Sequence, residues 1–235
     1  MSNPLFYSPT LGLPGTMLEL DQDNSRHAIQ VLRLIQGSAL SITDGKGNWA
    51  DAVVAMVDRK KCSVTLQAVH QVARPKRSIT LAISLLKNSN RFEWLLEKVT
   101  ELGVTSIIPL RCQRTEKENV RMDRLKSILI SALLQSQQAW LPELLAPQSF
   151  ADLPQWKLAK GANLLAHCEN TLRSSLSELS SSLPDQTLIA IGPEGDFTTQ
   201  EISQALAANF IPVQLGNTRL RTETAGVVAV SLLAC

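Results

Sequence analysis

The chain has 235 residues, of which 44% are hydrophobic, and a formal net charge of +2. That is enough apolar material for one large or two small cores and excludes a disordered chain. A charge so near zero does not by itself announce a nucleic-acid partner. No apolar run approaches the roughly 18 residues of a membrane span. The N-terminal MSNPLFYSPT lacks the basic-then-apolar order of a secretion signal, so a cytoplasmic chain is expected. Cys62, Cys112, Cys168 and Cys235 are scattered without a close pair, which argues against a zinc knuckle or a disulfide framework. Reduced, mostly buried thiols and no bound metal are expected.

In chain order, residues 1–72 read as a small β-rich domain with one helix. Asn24 or Ser25 is expected to cap a short helix carrying Ala28, Ile29 and Leu32. Strands Ala39–Thr43 and Trp49–Val57 flank the turn-forming Asp44-Gly45-Lys46-Gly47-Asn48, the pattern of a hairpin, and Cys62–Val69 alternates as a further strand. QVARPKRS, residues 71–78, has a proline among basic residues and no periodicity, which places the boundary between domains 1–72 and 73–235 there. Beyond it, strands and helices alternate. Ile79–Leu86, Ser106–Leu110, Asn163–Ala166, Leu188–Ile191 and Pro212–Leu215 are apolar strand runs. Phe92, Leu95, Leu96, Val99 and Leu102 recur at helical spacing up to the stop at Gly103, and Met122 through Leu133 marks a longer helix. Such alternation predicts an α/β domain, a parallel sheet with helices on both faces.

Charge is unevenly spread. Residues 1–73 carry six basic and six acidic side chains, residues 74–126 twelve against six, and residues 127–235 five against nine. The middle excess suits a polyanion held on one face or an ordinary solvated helix surface. Lys87, Arg91, Arg111 and Arg114, near strand ends in this segment, together with Arg33 of the first domain, are the candidates for phosphate contact.

The C-terminal stretch LIAIGPEGDFTTQEISQALAANFIPVQLGNTRLRTETA, residues 188–225, twice passes from strand through a glycine loop to a helix. Thr198 and Glu201 form a capping-box pattern, and a last apolar helix is expected over Ala225–Cys235. Glycine at such loops permits positive φ and close approach of a ligand to main chain. In open α/β sheets ligands sit outside the strands' carboxyl ends. A dinucleotide site or a Rossmann-type methyltransferase is excluded, because the turn after the first strand, Lys87-Asn88-Ser89-Asn90-Arg91, holds no glycine.

Gly192-Pro193-Glu194-Gly195, Leu215-Gly216 and Leu220-Arg221-Thr222-Glu223-Thr224-Ala225 together resemble the C-terminal signature of the RsmE family, the 16S rRNA uridine-N3 methyltransferases of the SPOUT class. Val31-Leu32-Arg33 matches that family's N-terminal motif. The resemblance implies a PUA-like β-barrel for RNA recognition followed by a trefoil-knotted methyltransferase domain that binds S-adenosylmethionine and forms a homodimer. It further implies 16S rRNA or the assembled small subunit as partner. By motif it assigns cofactor contact to Leu165, Ala166, His167, Ile191, Gly192, Pro193, Glu194, Gly195, Leu215, Gly216, Leu220, Arg221, Thr224 and Ala225. The family usually has glycine or a similar residue where this chain has Asp196. Leu134, Gln138, Trp140 and Thr218 also depart from its pattern.

Methyl transfer from a sulfonium needs an aligned nucleophile that loses its proton. Arg221 is the candidate to stabilise charge on a uracil oxygen, and Glu223, or a water it orients, the candidate proton acceptor. Glu223 could equally serve the helix dipole with Arg221 as its ion-pair partner. His167 is read as a hydrogen-bonded edge residue. A SPOUT enzyme acting on tRNA or a ribose 2′-hydroxyl, and an inactive RNA-binding assembly factor, remain as alternatives.

Overall fold

The computed structural model describes residues 3–117, 119–169 and 172–234; Cys235 lies outside the described residues. The chain divides into two compact units, residues 1–74 with 133–141, and residues 75–132 with 142–235.

In the first unit, β1 (Leu5–Tyr7), β2 (Met17–Glu19), β3 (Ala39–Thr43), β4 (Asn48–Asp58) and β5 (Lys61–Gln71) form a sheet ordered β1-β3-β4-β5-β2, antiparallel except for the β1–β3 pair. Strand alternation is what makes its core. Ala50, Ala52 and Val54 of β4 and Cys62, Val64 and Leu66 of β5 point to one side, where they meet Phe6, Leu40 and Ile42. The expected hairpin is present, with Asp44 Oδ1 accepting from the amides of Lys46 and Asn48 at 2.7 and 3.1 Å to shape its turn. The helix cap differs from expectation. Helix α1 (Gln22–Arg26) is capped by Asp21, whose Oδ1 accepts from Asn24 N at 2.8 Å. Ser25 is instead drawn into the core, where its hydroxyl bonds Leu20 O and accepts from Cys62 N. The helical turn then widens to a π form over His27–Val31, which buries Ala28 but leaves Leu32 exposed.

The segment 133–141 joins this unit through main chain. Gly47 N donates to Ala139 O at 2.9 Å, Leu141 N donates to Gly45 O at 2.8 Å, and Trp140 Nε1 donates to Val72 O. Arg74 lies over the Trp140 ring, 5.1 Å from its centroid. Gly47 has φ 91°, and a Cβ there would fall 2.2 Å from the same ring.

The second unit is a parallel sheet. Its strands are β6 (Ser78–Ser84), β7 (Ser106–Arg111), β8 (Glu143–Leu144), β9 (Gln148–Ser149), β10 (Ala162–Ala166), β11 (Ser174–Ser175), β12 (Gln186–Ile191) and β13 (Ile211–Gln214). Their order is β11-β13-β10-β12-β6-β7-β8, with β9 also on β7. Helices α2 (Ser89–Glu101), α3 (Met122–Gln135), α4 (Leu153–Trp156), α5 (Leu176–Leu179), α6 (Thr199–Ala207) and α7 (Thr222–Ala234) connect and follow them. Period-two alternation sends Ala82, Leu188 and Ala190 to one face, against Phe197, Ile202 and Ala205 around α6. Ile83 points to the other face, where it meets α7 at Gly226. Helices therefore cover both faces, as the alternation of elements predicts.

Helix α7 begins three residues earlier than expected, so Thr222 and Glu223 lie in its first turn and are buried. A Cβ at Gly226 would stand 2.6 Å from Leu95 Cδ1 of α2, so glycine there lets α7 and α2 approach closely. No helix among the described residues is long and apolar enough to cross a membrane.

Gly47→Ala is expected to cost about 1–3 kcal/mol, combining left-handed strain with displacement of Trp140. A urea-midpoint comparison checks it; an unchanged midpoint would show that the Trp140 segment yields freely.

Candidate active site

Three neighbouring parallel strands, β13, β10 and β12, end at one edge of the sheet, and the main chain leaving them walls a cavity of about 500 Å³. Ala166, His167 and Cys168 follow β10. Ile191 through Glu194, with Asp196, follow β12. Val213 through Gly216 come from β13, and residues 218–222, Ala225 of α7 and Arg91 of α2 complete the wall.

Of the two uses expected of the loop glycines, positive φ is not taken up at Gly192, Gly195 or Gly216, and they act by being small. Among residues 188–225 the left-handed positions are Asp196, at φ 65°, and Asn209, at φ 66°. A Cβ on Gly192 would stand 2.9 Å from Phe197 N, so this glycine lets the loop fold back on itself; a Cβ on Gly216 would meet nothing and instead occupy open space. A glycine after Gly195, usual in the family, would take the left-handed turn without strain. Here aspartate takes it, and its carboxylate stabilises the turn: Oδ1 accepts from Phe197 N at 2.8 Å and Oδ2 from Cys168 N at 2.7 Å. The second bond ties the end of β12 to the end of β10. Arg114 Nη1 donates to Gly195 O at 2.6 Å, and the Thr198–Glu201 capping box is present as read. Glu201 Oε1 also accepts from Gln113 N at 2.8 Å, fixing the start of α6 against the chain after β7.

Buried polar atoms face this region without partners. His167 is 4% exposed and, among the described residues, neither ring nitrogen has a hydrogen-bond partner; Arg173 Nε is likewise unpartnered there, although its Nη1 donates to His167 O. Burial pushes the His167 pKa below its ordinary 6.5; Arg173 pushes the same way, opposed by Asp196 and Glu169. The ring is thus a neutral cavity-wall group with nitrogens free to meet a ligand, not the satisfied edge residue expected from sequence.

Close packing of α7 on α2 sets Glu223 beside Arg91. Glu223 is 6% exposed, its Oε1 lies 3.6 Å from Arg91 Nε, and its buried Oε2 has no partner among the described residues. Its ion-pair partner is therefore Arg91, not Arg221, and Glu223 does not line the cavity whereas Arg221 does.

Of the residues assigned to the cofactor, Ala166, His167, Ile191, Gly192, Pro193, Glu194, Leu215, Gly216, Leu220, Arg221 and Ala225 line the cavity. Leu165 is buried in the core beneath it, while Gly195 and Thr224 stand outside its lining. Sequence reasoning missed Cys168, Arg173, Asp196, Val213, Gln214, Thr218, Arg219 and Thr222 as lining residues; Cys168 is exposed there, not buried. Most of these continue a loop already singled out, so extending each motif by two residues would have found them. Arg173 follows no motif. Of the candidate phosphate contacts, Lys87 pairs with Glu116 at 2.7 Å, Arg91 with Glu223, and Arg114 with loop carbonyls. Arg111 is exposed at the end of β7, and Arg33 is exposed in the first unit at φ 53°. Among the described residues no three His, Cys, Asp or Glu side chains gather as a metal site.

Asp196→Gly keeps the left-handed turn and loses only the carboxylate's hydrogen bonds, about 1.5–3 kcal/mol. Asp196→Val adds backbone strain of about 1–2 kcal/mol. Urea midpoints should fall in that order; equal midpoints would sink the account. For His167, both states are neutral above pH 6.5 and the ring contributes nothing to pH dependence there. Below it the unfolded chain takes a proton that the folded ring resists, so stability declines as pH falls. His167→Gln should flatten that part of the stability–pH curve, and an unaltered slope would show the ring protonates freely.

The family model described as an RNA methyltransferase domain matches residues 73–234, and that of an RNA methyltransferase PUA domain matches residues 20–67. The chain is 35% identical over 211 residues to ribosomal RNA small subunit methyltransferase E of Synechocystis, covering 87% of this chain and 69% of that protein. It is 29% identical to the Mycobacterium tuberculosis protein of the same name, covering 96% and 88%. The Neisseria gonorrhoeae methyltransferase E, solved with S-adenosylmethionine bound, superposes with a TM-score of 0.86 at 28% identity over 97% of this chain and 95% of that one. A Legionella pneumophila putative methyltransferase, also solved with that cofactor, gives 0.89 at 29% identity over 99% and 97%. A PUA-type first domain, a parallel sheet with its cavity at the strand ends, and these matches lead to one conclusion: the chain belongs to the ribosomal RNA small subunit methyltransferase E family, of the SPOUT class.

Proposed function

We propose that this chain, an S-adenosylmethionine-dependent ribosomal RNA methyltransferase by family, methylates N3 of a uridine in 16S rRNA. The observation that carries the reading is the strand-end cavity, walled by main chain from three adjacent strands, in a chain of that family. Its volume of about 500 Å³ is that of a small-molecule site. The space left at Gly216 and the unpartnered nitrogens of His167 suit a ligand with both a flat ring system and polar groups.

When bound, S-adenosylmethionine supplies an electrophilic methyl group on a sulfonium. The residues of this chain hold and orient the reactants. Main chain of Ile191, Gly192, Leu215, Gly216 and Leu220, with Ala166 and Ala225, forms the cofactor bed. Pro193, Glu194 and Gly195 frame its edge, and Leu165 and Thr224 support it from behind. Arg221, exposed on the wall, stabilises negative charge developing on a uracil oxygen as N3 loses its proton. Glu223 takes a different part from that expected: buried behind Arg91, it orients the guanidinium that lines the cavity. The first domain, with Arg33, and the basic side chains Lys87, Arg111 and Arg114 engage the RNA strand. The enzyme acts in the cytoplasm on rRNA or the assembled small subunit, as a homodimer, without a metal.

Small subunits lacking the modification, incubated with the protein and isotopically labelled S-adenosylmethionine, should yield labelled N3-methyluridine by nucleoside mass spectrometry. Label in a ribose methyl group, or nowhere, would overturn the assignment. Arg221→Ala should lower the single-turnover rate at saturating cofactor about 10²–10³-fold. Glu223→Gln and Arg91→Ala should each cost less, and the double variant no more than the worse of the two, because the pair acts as one unit.

A further inference from the structure

A second cavity, of about 480 Å³, opens beside the first at the start of α2. The opening of α2 serves both: Arg91 lines the cofactor cavity, while Ser89 and Asn90 line the second. Its floor is apolar, made by Leu86, Phe92 and Leu125, all buried beneath the surface. Its mouth is cationic. Lys117, Arg121 and Arg124 stand there against the single carboxylate of Glu93.

These four groups are not equivalent. Arg124 grips Glu93 with two parallel bonds, at 2.5 and 2.6 Å, and Lys117 donates to the Ser89 hydroxyl. The Arg121 guanidinium makes no hydrogen bond or ion pair among the described residues and is exposed. The hydrogen bond from Arg124 holds the Glu93 carboxyl below the ordinary value for glutamate, with Arg121 and Lys117 adding to the effect. Among the described residues one carboxylate thus answers three cations, and the mouth keeps a positive excess. All three cations come from the segment whose basic excess is visible in the sequence.

An inorganic anion needs no apolar floor, and an apolar ligand needs no cations. A nucleotide needs both. The volume accommodates a base, and the side-chain amides of Asn90 and Asn119 offer donors and acceptors to a base edge. A guanidinium without a fixed partner can stack on a base or fork onto a phosphate. The consecutive residues Asn90 and Arg91, one in each lining, place such a nucleotide near whatever occupies the cofactor cavity. Resting on the reading that this occupant includes a uridine of RNA, we propose that the second cavity binds a neighbouring nucleotide of the same strand. Its base rests on the Leu86–Phe92–Leu125 floor and its phosphate lies among Lys117, Arg121 and Arg124. This contact holds the strand while the target base is turned toward the methyl donor.

The test uses the full chain, a fluorescent nine-residue oligouridylate and anisotropy titrations across a range of salt concentrations. Lys117→Ala with Arg121→Ala should weaken binding about tenfold and reduce the log–log salt slope by about 0.7–1.4, the loss of one or two phosphate contacts on a single strand. Cofactor affinity by calorimetry and the melting temperature should stay as in the wild type, since neither residue touches the first cavity or the core. Photocrosslinking of a 4-thiouridine-substituted oligomer should map to peptides spanning residues 85–92 or 119–125. Unchanged affinity and slope in the double variant, or crosslinks confined to other peptides, would overturn the proposal. Loss of RNA binding in the variant alongside absence of N3-methyluridine from the wild-type protein's product would leave this site standing and remove the assigned reaction. N3-methyluridine formed by a variant with wild-type RNA affinity would do the reverse.

Discussion

The carboxylate of Asp196 joins the chain leaving β12 to the chain leaving β10, and the cavity depends on that junction. Parallel strands end in loops that have no reason to stay together, because each must turn away into its own helix. Here one side chain in a left-handed turn accepts from the amide after itself and from the amide of Cys168, so two loops share a single rigid corner. Arg114 and Glu201 brace that corner from the chain after β7, through Gly195 O and Gln113 N. The result is a cavity wall of main chain, positioned before any ligand arrives. Preorganisation of this kind lowers the ordering cost of binding.

Charge is arranged around the same edge in two ways. Most cations near the cofactor cavity are committed to the protein: Arg114 to carbonyls, Lys87 to Glu116, Arg91 to Glu223. They hold the site in shape. The exposed Lys87–Glu116 pair adds little stability, whereas the contacts of Arg91 and Arg114 fix where a guanidinium points. Arg221 and Arg121 are different, since neither has an ion-pair partner among the described residues and each stands at a cavity. A basic excess counted along the sequence does not separate these two roles, because the distinction lies in what each side chain touches.

The two packing faces of the sheet also have separate tasks. On one side Trp156 packs edge to face against Phe150 and Phe210, and Phe150 meets Phe197 in a tilted pair with centroids 4.9 Å apart; this aromatic cluster around α4 and α6 anchors the loop after β12 from below. On the other, Gly226 lets α7 settle onto α2, which is how Glu223 reaches Arg91. Each face thus contributes one element of the site, a rigid loop from the first and a buried carboxylate from the second.

Element types and their order were legible in the sequence because they follow from local periodicity: alternation in residues 39–71, apolar runs at each parallel strand, and the capping box at Thr198 and Glu201. The paired glycine loops pointed to the ligand edge for the same reason, since a strand must stop where its apolar run stops. Their resemblance to a known family named the chemistry, which periodicity alone does not reach. Tertiary structure decided the rest. It placed β13 beside β10 rather than β12, put the left-handed turn on Asp196 rather than on a glycine, and gave Glu223 to Arg91. It also brought the segment around Trp140 onto the first unit, far from its place in the chain. These outcomes depend on contacts between residues distant in sequence, and local pattern carries no record of which distant partners will meet.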